Sequence, residues 1–309
     1  MRCYLSGWHA SRKERELAII QTGAMKYRCF AFATLHKLAH KKFASFTYAP
    51  WQKEVYETDL ANGIGIMMDS SAVGWRHMLN KTGEIVPDEI LTEPYLDFCK
   101  KESHKWDFYF TLDLQISAPF IYEMQKKLFK LGIKTTPVYH GDDNVDYLKR
   151  YVDMGSDLIG IASPRKFRSS LSGKRRYLDT CFNLAEKLNF KVHGLAMTSV
   201  WQMLHYPFYS VDSSSWTRCA SVGCLMKFDP QRRRVTILHV SDREDSSKKI
   251  HLSVESQGRL RRELEDEGWD FKLLQSDHVE RHKYNAITMQ KITDLATAGK
   301  TSSWELLWT

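Results

Sequence analysis

The sequence lacks the features that a membrane-spanning or secreted protein requires. In its 309 residues no apolar run approaches the ~20 residues of a membrane-spanning helix, and the N-terminus lacks the long apolar core of a signal peptide. None of its 6 cysteines forms a Cys-x-x-Cys pair, and a chain of this length does not need a disulfide framework. We therefore expect free thiols, a cytoplasmic location and no contact with a membrane.

Metal-binding and cofactor-binding motifs are also missing. Cys219 and Cys224 stand five residues apart and the histidines are scattered, which is too sparse for a structural zinc site. The glycines of "GIGIMMD" (63–69) lack the G-x-G-x-x-G spacing of a phosphate-binding loop. We predict neither a metal nor a cofactor.

The composition is that of a globular protein with an excess of positive charge. Hydrophobic residues make up 43% and charged residues 27%, so a chain of 309 residues can bury a sizeable core in one large domain or two small ones. The net charge of +8 and the pI near 9.0 favour a polyanionic partner.

Short apolar segments alternate with amphipathic segments of helical length. Nearly continuous apolar or β-prone segments are typical of parallel strands covered on both faces. Six of them run over 63–69, 106–113, 132–141, 156–163, 191–199 and 207–214. Two further candidates, at 2–7 and 27–34, come earlier in the chain.

The intervening segments predict helices over 118–131, 144–155 and 174–190. Gly132 follows the first of these segments and Gly155 ends the second, where a helix C-cap belongs. The alternation predicts an α/β protein with a (β/α)8 TIM barrel, with an open doubly wound sheet as second choice.

The pattern changes after about residue 220. The segments 223–229 and 235–242, joined by "PQRRR", predict a β-hairpin, and 253–270 predicts a helix. We expect a catalytic barrel over 1–225 and a C-terminal extension over 226–309 packed on it. The oligomeric state stays open.

Polar residues stand at the carboxyl ends of the predicted strands, where TIM barrels place their active sites. These residues are Asp69, Asp113, His140, Ser163, Met197, Thr198 and Asp212. Asp and Ser after a strand are also common helix N-caps, so each alone is equally compatible with capping. Two carboxylates at one barrel mouth can divide the roles of nucleophile and general acid, as cleavage at an acetal-like carbon requires.

A basic segment, "SPRKFRSSLSGKRR" (163–176), follows one of these strand ends and contains no acid. Its cations are Arg165, Lys166, Arg168, Lys174, Arg175 and Arg176. A solvated loop is one interpretation, and nucleic-acid binding through phosphate is the one we favour. The nearby aromatic residues Trp75, Tyr139, Tyr209 and Trp216 suit core packing, or one or two of them could stack on a flat base.

The order of these motifs resembles the tRNA-guanine transglycosylase superfamily, and most closely its phage branch, which inserts 7-deazaguanines into DNA. "DSSAV" (69–73) is similar to the family's Asp-Ser-Gly-Gly-Phe, "VYHGD" (138–142) to Val-Gln-Gly-Gly, and "YSVDSSSW" (209–216) to its nucleophile strand. The segments "IGIASP" (159–164) and "HGLAMTS" (193–199) are looser matches. The resemblance covers residues 60–225 and does not include the zinc site of the tRNA enzymes.

The resemblance implies a role for each matching residue. Asp212 would be the nucleophile and Asp69 the general acid and base. Asp113, with Ser70 and His140, would bind the guanine, and so would the backbone from Gly194 to Met197. The partners would be DNA with a flipped guanine and a free 7-deazaguanine such as preQ0.

Three other functions stay open. The same barrel could act on tRNA, a catalytically inactive barrel could only bind nucleic acid, or the basic segment could bind one phosphate of a small substrate. The absent zinc ligands count against the tRNA enzyme.

Overall fold

The computed structural model describes residues 1–6, 13–32, 50–70, 89–113, 117–141, 144–164, 170–242 and 254–299. Eight strands form one sheet, and all the predicted strand segments contribute to it. The strands are β1 (Arg2–Leu5), β2 (Tyr27–Ala31), β3 (Gly65–Asp69), β4 (Phe108–Tyr109), β5 (Val138–His140), β6 (Leu158–Ala162), β7 (Lys191–Leu195) and β8 (Ser210–Ser213).

Helices alternate with these strands, as the amphipathic segments predict. They are α1 (Lys13–Gln21), α2 (Pro50–Ala61), α3 (Glu89–Glu102), α4 (Ala118–Lys130), α5 (Asp146–Asp153), α6 (Leu171–Leu188), α7 (Val200–His205) and α8 (Ser215–Ser221). A short 3-10 helix over Ser103–Lys105 follows α3. Gly132 and Gly155 have φ values of +74° and +104°, which confirms the predicted helix ends.

The sheet curls into a TIM-like barrel. Its strand order is β4-β3-β2-β1-β8-β7-β6-β5, and every pair is parallel. A parallel bridge between Phe110 and Thr136 joins the ends of this order, because Thr111 N–H donates to Thr136 O and Thr136 N–H donates to Tyr109 O, both at 2.8 Å. The fold class is therefore as predicted, and the open doubly wound sheet is ruled out because its strand order would reverse at the middle.

Successive residues of each strand point alternately into the barrel and toward the helices. In β6, Leu158 joins the cluster that fills the barrel, whereas Ile159 and Ile161 join the cluster under the helices. In β8 the same alternation directs Val211 outward and Ser210 and Asp212 inward. The inward direction explains how a polar residue ends an otherwise apolar strand.

Helix α6 begins earlier than the sequence predicts. The Ser170 hydroxyl accepts a hydrogen bond from Gly173 N–H at 3.1 Å and so caps a helix that starts at Leu171. The helix predicted over 174–190 is therefore confirmed at its start, and it excludes a basic loop that extends through residue 176. Lys174, Arg175 and Arg176 are helical.

The C-terminal part forms a hairpin and three helices. The predicted hairpin is present as β9 (Cys224–Asp229) and β10 (Arg234–His239). The helices are α9 (Val254–Asp266), α10 (Phe271–Ser276) and α11 (His278–Ala298). The helix predicted over 253–270 ends at Asp266, because Gly268 takes a φ of +87°.

Helix α11 attaches this part to the barrel, where it contacts β1, α1 and α8, and it also contacts β9 of the hairpin. The Asn285 amide donates to Trp216 O at 3.0 Å and accepts from Met226 N–H at 2.8 Å. No helix in the described ranges has the length and apolar character needed to cross a membrane.

Candidate active site at the barrel mouth

The parallel strands bring three predicted carboxylates to one end of the barrel. Asp69 is the last residue of β3, Asp212 is the third of four residues in β8, and Asp113 follows β4. His140 ends β5. Because all eight strands run in one direction, these residues lie at the carboxyl end, which we call the mouth.

Asp212 accepts hydrogen bonds on both oxygens, but unequally. Its Oδ1 lies 3.0 Å from the Ala196 amide nitrogen and 3.3 Å from His193 Nε2. Within the described ranges, its Oδ2 accepts one long bond, from the Ser6 hydroxyl at 3.4 Å. The side chain is 17% exposed, so the carboxylate is held by the protein and still open to a ligand.

The backbone that supports Asp212 adopts an uncommon conformation. Ala196 has a φ of +54°, in the left-handed region that costs a non-glycine residue about 1–2 kcal/mol. This conformation accompanies the hydrogen bond from its N–H to Oδ1 of Asp212. Strain of this kind concentrates at functional sites, which fits a candidate nucleophile.

A second carboxylate, Asp113, lies in a network of its own. Its Oδ1 accepts from the Ser70 hydroxyl at 2.7 Å, and its Oδ2 lies 3.2 Å from His140 Nε2. The side chains of Asp113 and His140 are 10% and 13% exposed. The structure thus brings together three of the residues predicted to bind the base.

Asp69 faces the same interior as Asp212. It pairs in register with Ala31 of β2, which is two residues beyond Cys29 and therefore points to the same face of the sheet. Burial raises the pKa of the Cys29 thiol well above its ordinary value, and the charges of Asp69 and then Asp212 raise it further. Both carboxylates are therefore within electrostatic reach of one buried thiol.

The Gly194 and Met197 side-chain positions lie behind the barrel wall. A Cβ on Gly194 would come within 2.6 Å of Phe208 Cε1, and Met197 is 1% exposed in the cluster under the helices. Between them, Ala196 is exposed at the mouth. The side-chain positions of Gly194 and Met197 are therefore unavailable to a ligand, and Ala196 is the part of this segment that a ligand at the mouth can reach.

The predicted basic residues divide into two groups. Arg165, Lys166 and Arg168 lie outside the described residues. In the first two turns of α6, Arg175 and Arg176 are exposed and Lys174 is partly buried. The Arg175 guanidinium also lies 5.2 Å from the Trp201 ring, so packing occupies part of this side chain.

The three predicted aromatic residues that the structure describes do not gather at the mouth. Tyr209 precedes β8, and its backbone bonds to Arg2 and Val192 place it at the opposite end of the barrel. Trp216 is 2% exposed and donates to Ser6 O. Tyr139 is buried toward the helices and Trp75 lies outside the described residues.

Sequence reasoning missed His193 and Ser6. His193 sits in the middle of an apolar strand segment, where it reads as a core residue. The signal that could have found it is the alternation in β7 and β8, whose register pairs His193 with Ser210, two residues before Asp212. Ser6 was missed because it follows the first strand and lies 206 residues from Asp212 in the sequence.

Comparison with known proteins adds nothing to the geometry, since the chain matches no family model and no curated protein. Within the ranges that the structure describes, no three His, Cys, Asp or Glu side chains form a group that could hold a metal ion. All six cysteines are free thiols. The arrangement can supply a hydrogen-bonded carboxylate nucleophile beside a second and a third carboxylate.

Proposed function

We propose that the chain is a DNA-guanine transglycosylase that exchanges guanine in DNA for a 7-deazaguanine through a covalent aspartyl intermediate. The observation that carries the proposal is the set of carboxylates at the barrel mouth, with Asp212 held by Ala196 N–H and His193 and Asp113 held by Ser70 and His140. The order of the motifs along the sequence supports it independently.

In this reaction Asp212 attacks C1′ of the guanine nucleotide and displaces the base. A covalent intermediate divides one difficult displacement into two easier steps. Asp69 protonates the departing guanine and then takes a proton from the incoming 7-deazaguanine. The target nucleotide has to leave the duplex, which costs a few kcal/mol. Contacts from the cations of α6 to the phosphate backbone of the DNA would offset this cost.

The network around Asp113 suits recognition of the base. A guanine edge offers N–H donors, and a carboxylate is an acceptor when ionised. The Ser70 and His140 contacts leave Asp113 10% exposed, so it can accept from a ligand while its orientation is fixed. A buried acceptor that the wrong base leaves unpaired discriminates strongly.

The test is incorporation of a labelled 7-deazaguanine, supplied with duplex DNA and with tRNA in parallel. Each nucleic acid is then digested, and its nucleosides are separated and counted. We expect label in DNA nucleosides and a protein–DNA adduct that survives denaturation. Label in tRNA alone would establish a tRNA-guanine transglycosylase. Binding without adduct or label would establish an inactive nucleic-acid-binding barrel.

A further inference from the structure

His193 lies inside the barrel, directly beneath the candidate nucleophile. The side chain is fully buried. Its ring centroid lies 5.2 Å from that of Phe110, 5.3 Å from Phe108 and 6.4 Å from Tyr4. Among the described residues, the hydrogen-bond partners of the two ring nitrogens are those that β8 provides.

Both partners come from alternate residues of β8. Nδ1 lies 2.8 Å from the Ser210 hydroxyl and Nε2 lies 3.3 Å from Oδ1 of Asp212. An ionised carboxylate can only accept, so Nε2 carries a hydrogen whether the ring is neutral or charged. The other titratable group that contacts the ring, Tyr4, donates its hydroxyl to Asp107 at 2.7 Å, away from Asp212.

The donors make the two oxygens of Asp212 chemically different. Among the residues that the structure describes, Oδ1 takes the His193 and Ala196 N–H groups, whereas Oδ2 takes the long Ser6 bond alone. We propose that His193 is a positioning residue that, with Ala196 N–H, fixes Oδ1 and leaves Oδ2 as the oxygen that attacks C1′. This inference rests on the proposed base exchange.

Each step then has a defined place for its electrons. Oδ2 forms a bond to C1′ as the bond from C1′ to the guanine nitrogen breaks, and the electron pair leaves with the base, which takes a proton from Asp69. Oδ1 becomes the carbonyl oxygen of the ester and keeps its two donors.

In the second step the incoming base gives its proton to Asp69, its nitrogen bonds to C1′, and the C1′–Oδ2 electrons return to the carboxylate. The donors on Oδ1 stabilise the negative charge that develops there. His193 should therefore matter most for breakdown of the adduct.

The kinetic test compares His193→Phe and His193→Gln with wild type. The phenyl ring fills the site without a donor, whereas the glutamine amide can place an N–H near the position of Nε2. We expect His193→Phe to slow adduct breakdown about 10²-fold with little change in the Kd for DNA. His193→Gln should recover most of this loss.

Tyr4→Phe is the matched control, because it removes a hydroxyl from the same interior but on the side of Asp107. It should break down the adduct at the wild-type rate. Equal losses in Tyr4→Phe and His193→Phe would show that only packing is involved and would overturn the proposal.

A second measurement does not depend on activity. Nitrogen-15 NMR of the free protein should show a hydrogen on His193 Nε2, and Asp212→Ala should release the ring to a mixture of tautomers. A bare Nε2 in the wild type would overturn the positioning role. If the NMR result is as expected and the wild type forms no adduct with DNA or tRNA, the proposed reaction fails and the positioning geometry stands.

Discussion

Carboxylates occur at both ends of the barrel, and their partners differ in charge. At the end where the strands begin, Asp107 pairs with the Arg2 guanidinium at 3.2 Å and accepts from the Tyr4 hydroxyl at 2.7 Å. The guanidinium lies 5.5 Å and 5.1 Å from the rings of Tyr27 and Tyr209. This carboxylate is neutralised by a cation that aromatic rings hold in place.

At the mouth, Asp113 and Asp212 are held by hydroxyl, amide and imidazole groups instead. In the part of the chain that the structure describes, neither pairs with a lysine or an arginine. A carboxylate without a cationic partner keeps its attraction for positive charge that develops on a substrate, such as that at C1′. The contrast supports our proposal that the mouth carboxylates take part in chemistry, whereas the ion pair of Asp107 suits a role in stability.

The largest expected effect separates the two ends directly. Asp212→Asn should lower base exchange by about 10⁴-fold or more, because the amide cannot form the ester. Asp107→Asn should leave exchange near the wild-type rate and cost about 1–2 kcal/mol of unfolding free energy through its weakened bonds. Labelled-base incorporation and urea unfolding measure the two quantities. Loss of exchange in Asp107→Asn, or full exchange in Asp212→Asn, would break the comparison.

The next effect distinguishes the carboxylates within the mouth. Asp69→Asn should block turnover by removing the group that moves the proton, whereas Asp113→Ala should mainly reduce the preference for guanine over other bases. Competition between bases, with exchange rates for each, gives the ratio. If both variants lose only affinity for DNA while their chemistry is unchanged, the assignment of these residues to the base pocket is wrong.

A third prediction compares cations at the two ends. Replacing Lys174, Arg175 and Arg176 with alanine should reduce the steepness of log K for DNA binding against log salt concentration by up to about 3, because each phosphate contact contributes about 0.9 to this slope. The matched control replaces the exposed residues Lys127, Lys130 and Lys134 with alanine. This triple variant removes the same charge at the end of the barrel opposite the mouth.

Fluorescence anisotropy over a salt series measures both slopes. The affinity should fall similarly for all DNA sequences, since phosphate contacts do not identify bases. An equal change in the two triple variants would indicate a general effect of net charge instead of a track beside the mouth.

The smallest effect concerns two buried thiols, Cys3 under the helices and Cys29 inside the barrel. Burial raises the pKa of Cys3 to about 12 and that of Cys29 well above its ordinary value. Above pH ~8.5 the unfolded thiols lose protons that the folded protein keeps, so stability should fall as pH rises, by about 1.4 kcal/mol per pH unit for each thiol.

Urea unfolding under reducing conditions between about pH 8 and pH 10.5 measures this slope. Cys29→Ala should remove the contribution of one thiol from the slope of unfolding free energy against pH. Cys224→Ala, at a half-buried position, should reduce this slope less. An unchanged slope in Cys29→Ala would contradict the raised pKa.

The sequence predicts the strands well because a strand buried on both faces needs a continuous apolar segment. The same rule places Asp69, His140 and Asp212 at strand ends. It does not predict Ala196, whose positive φ has no signature in an alanine, or the start of α6, where Ser170 caps a helix through a glycine. Contacts between distant segments, such as that of Ser6 with Asp212, depend on closure of the barrel.

The pairing of β1 with β8 has a consequence for the order in which the protein acquires its structure. Ser6 contacts Asp212 across 206 residues and accepts from Trp216 across 210. Contacts of such separation form slowly, because a long loop has to close before they contribute. Asp212 therefore stands where β8 docks against β1, and folding intermediates in which these two strands have not paired lack an assembled mouth. If Asp212 is the nucleophile, as we propose, the chain becomes able to react only after the last strand of the barrel has docked against the first.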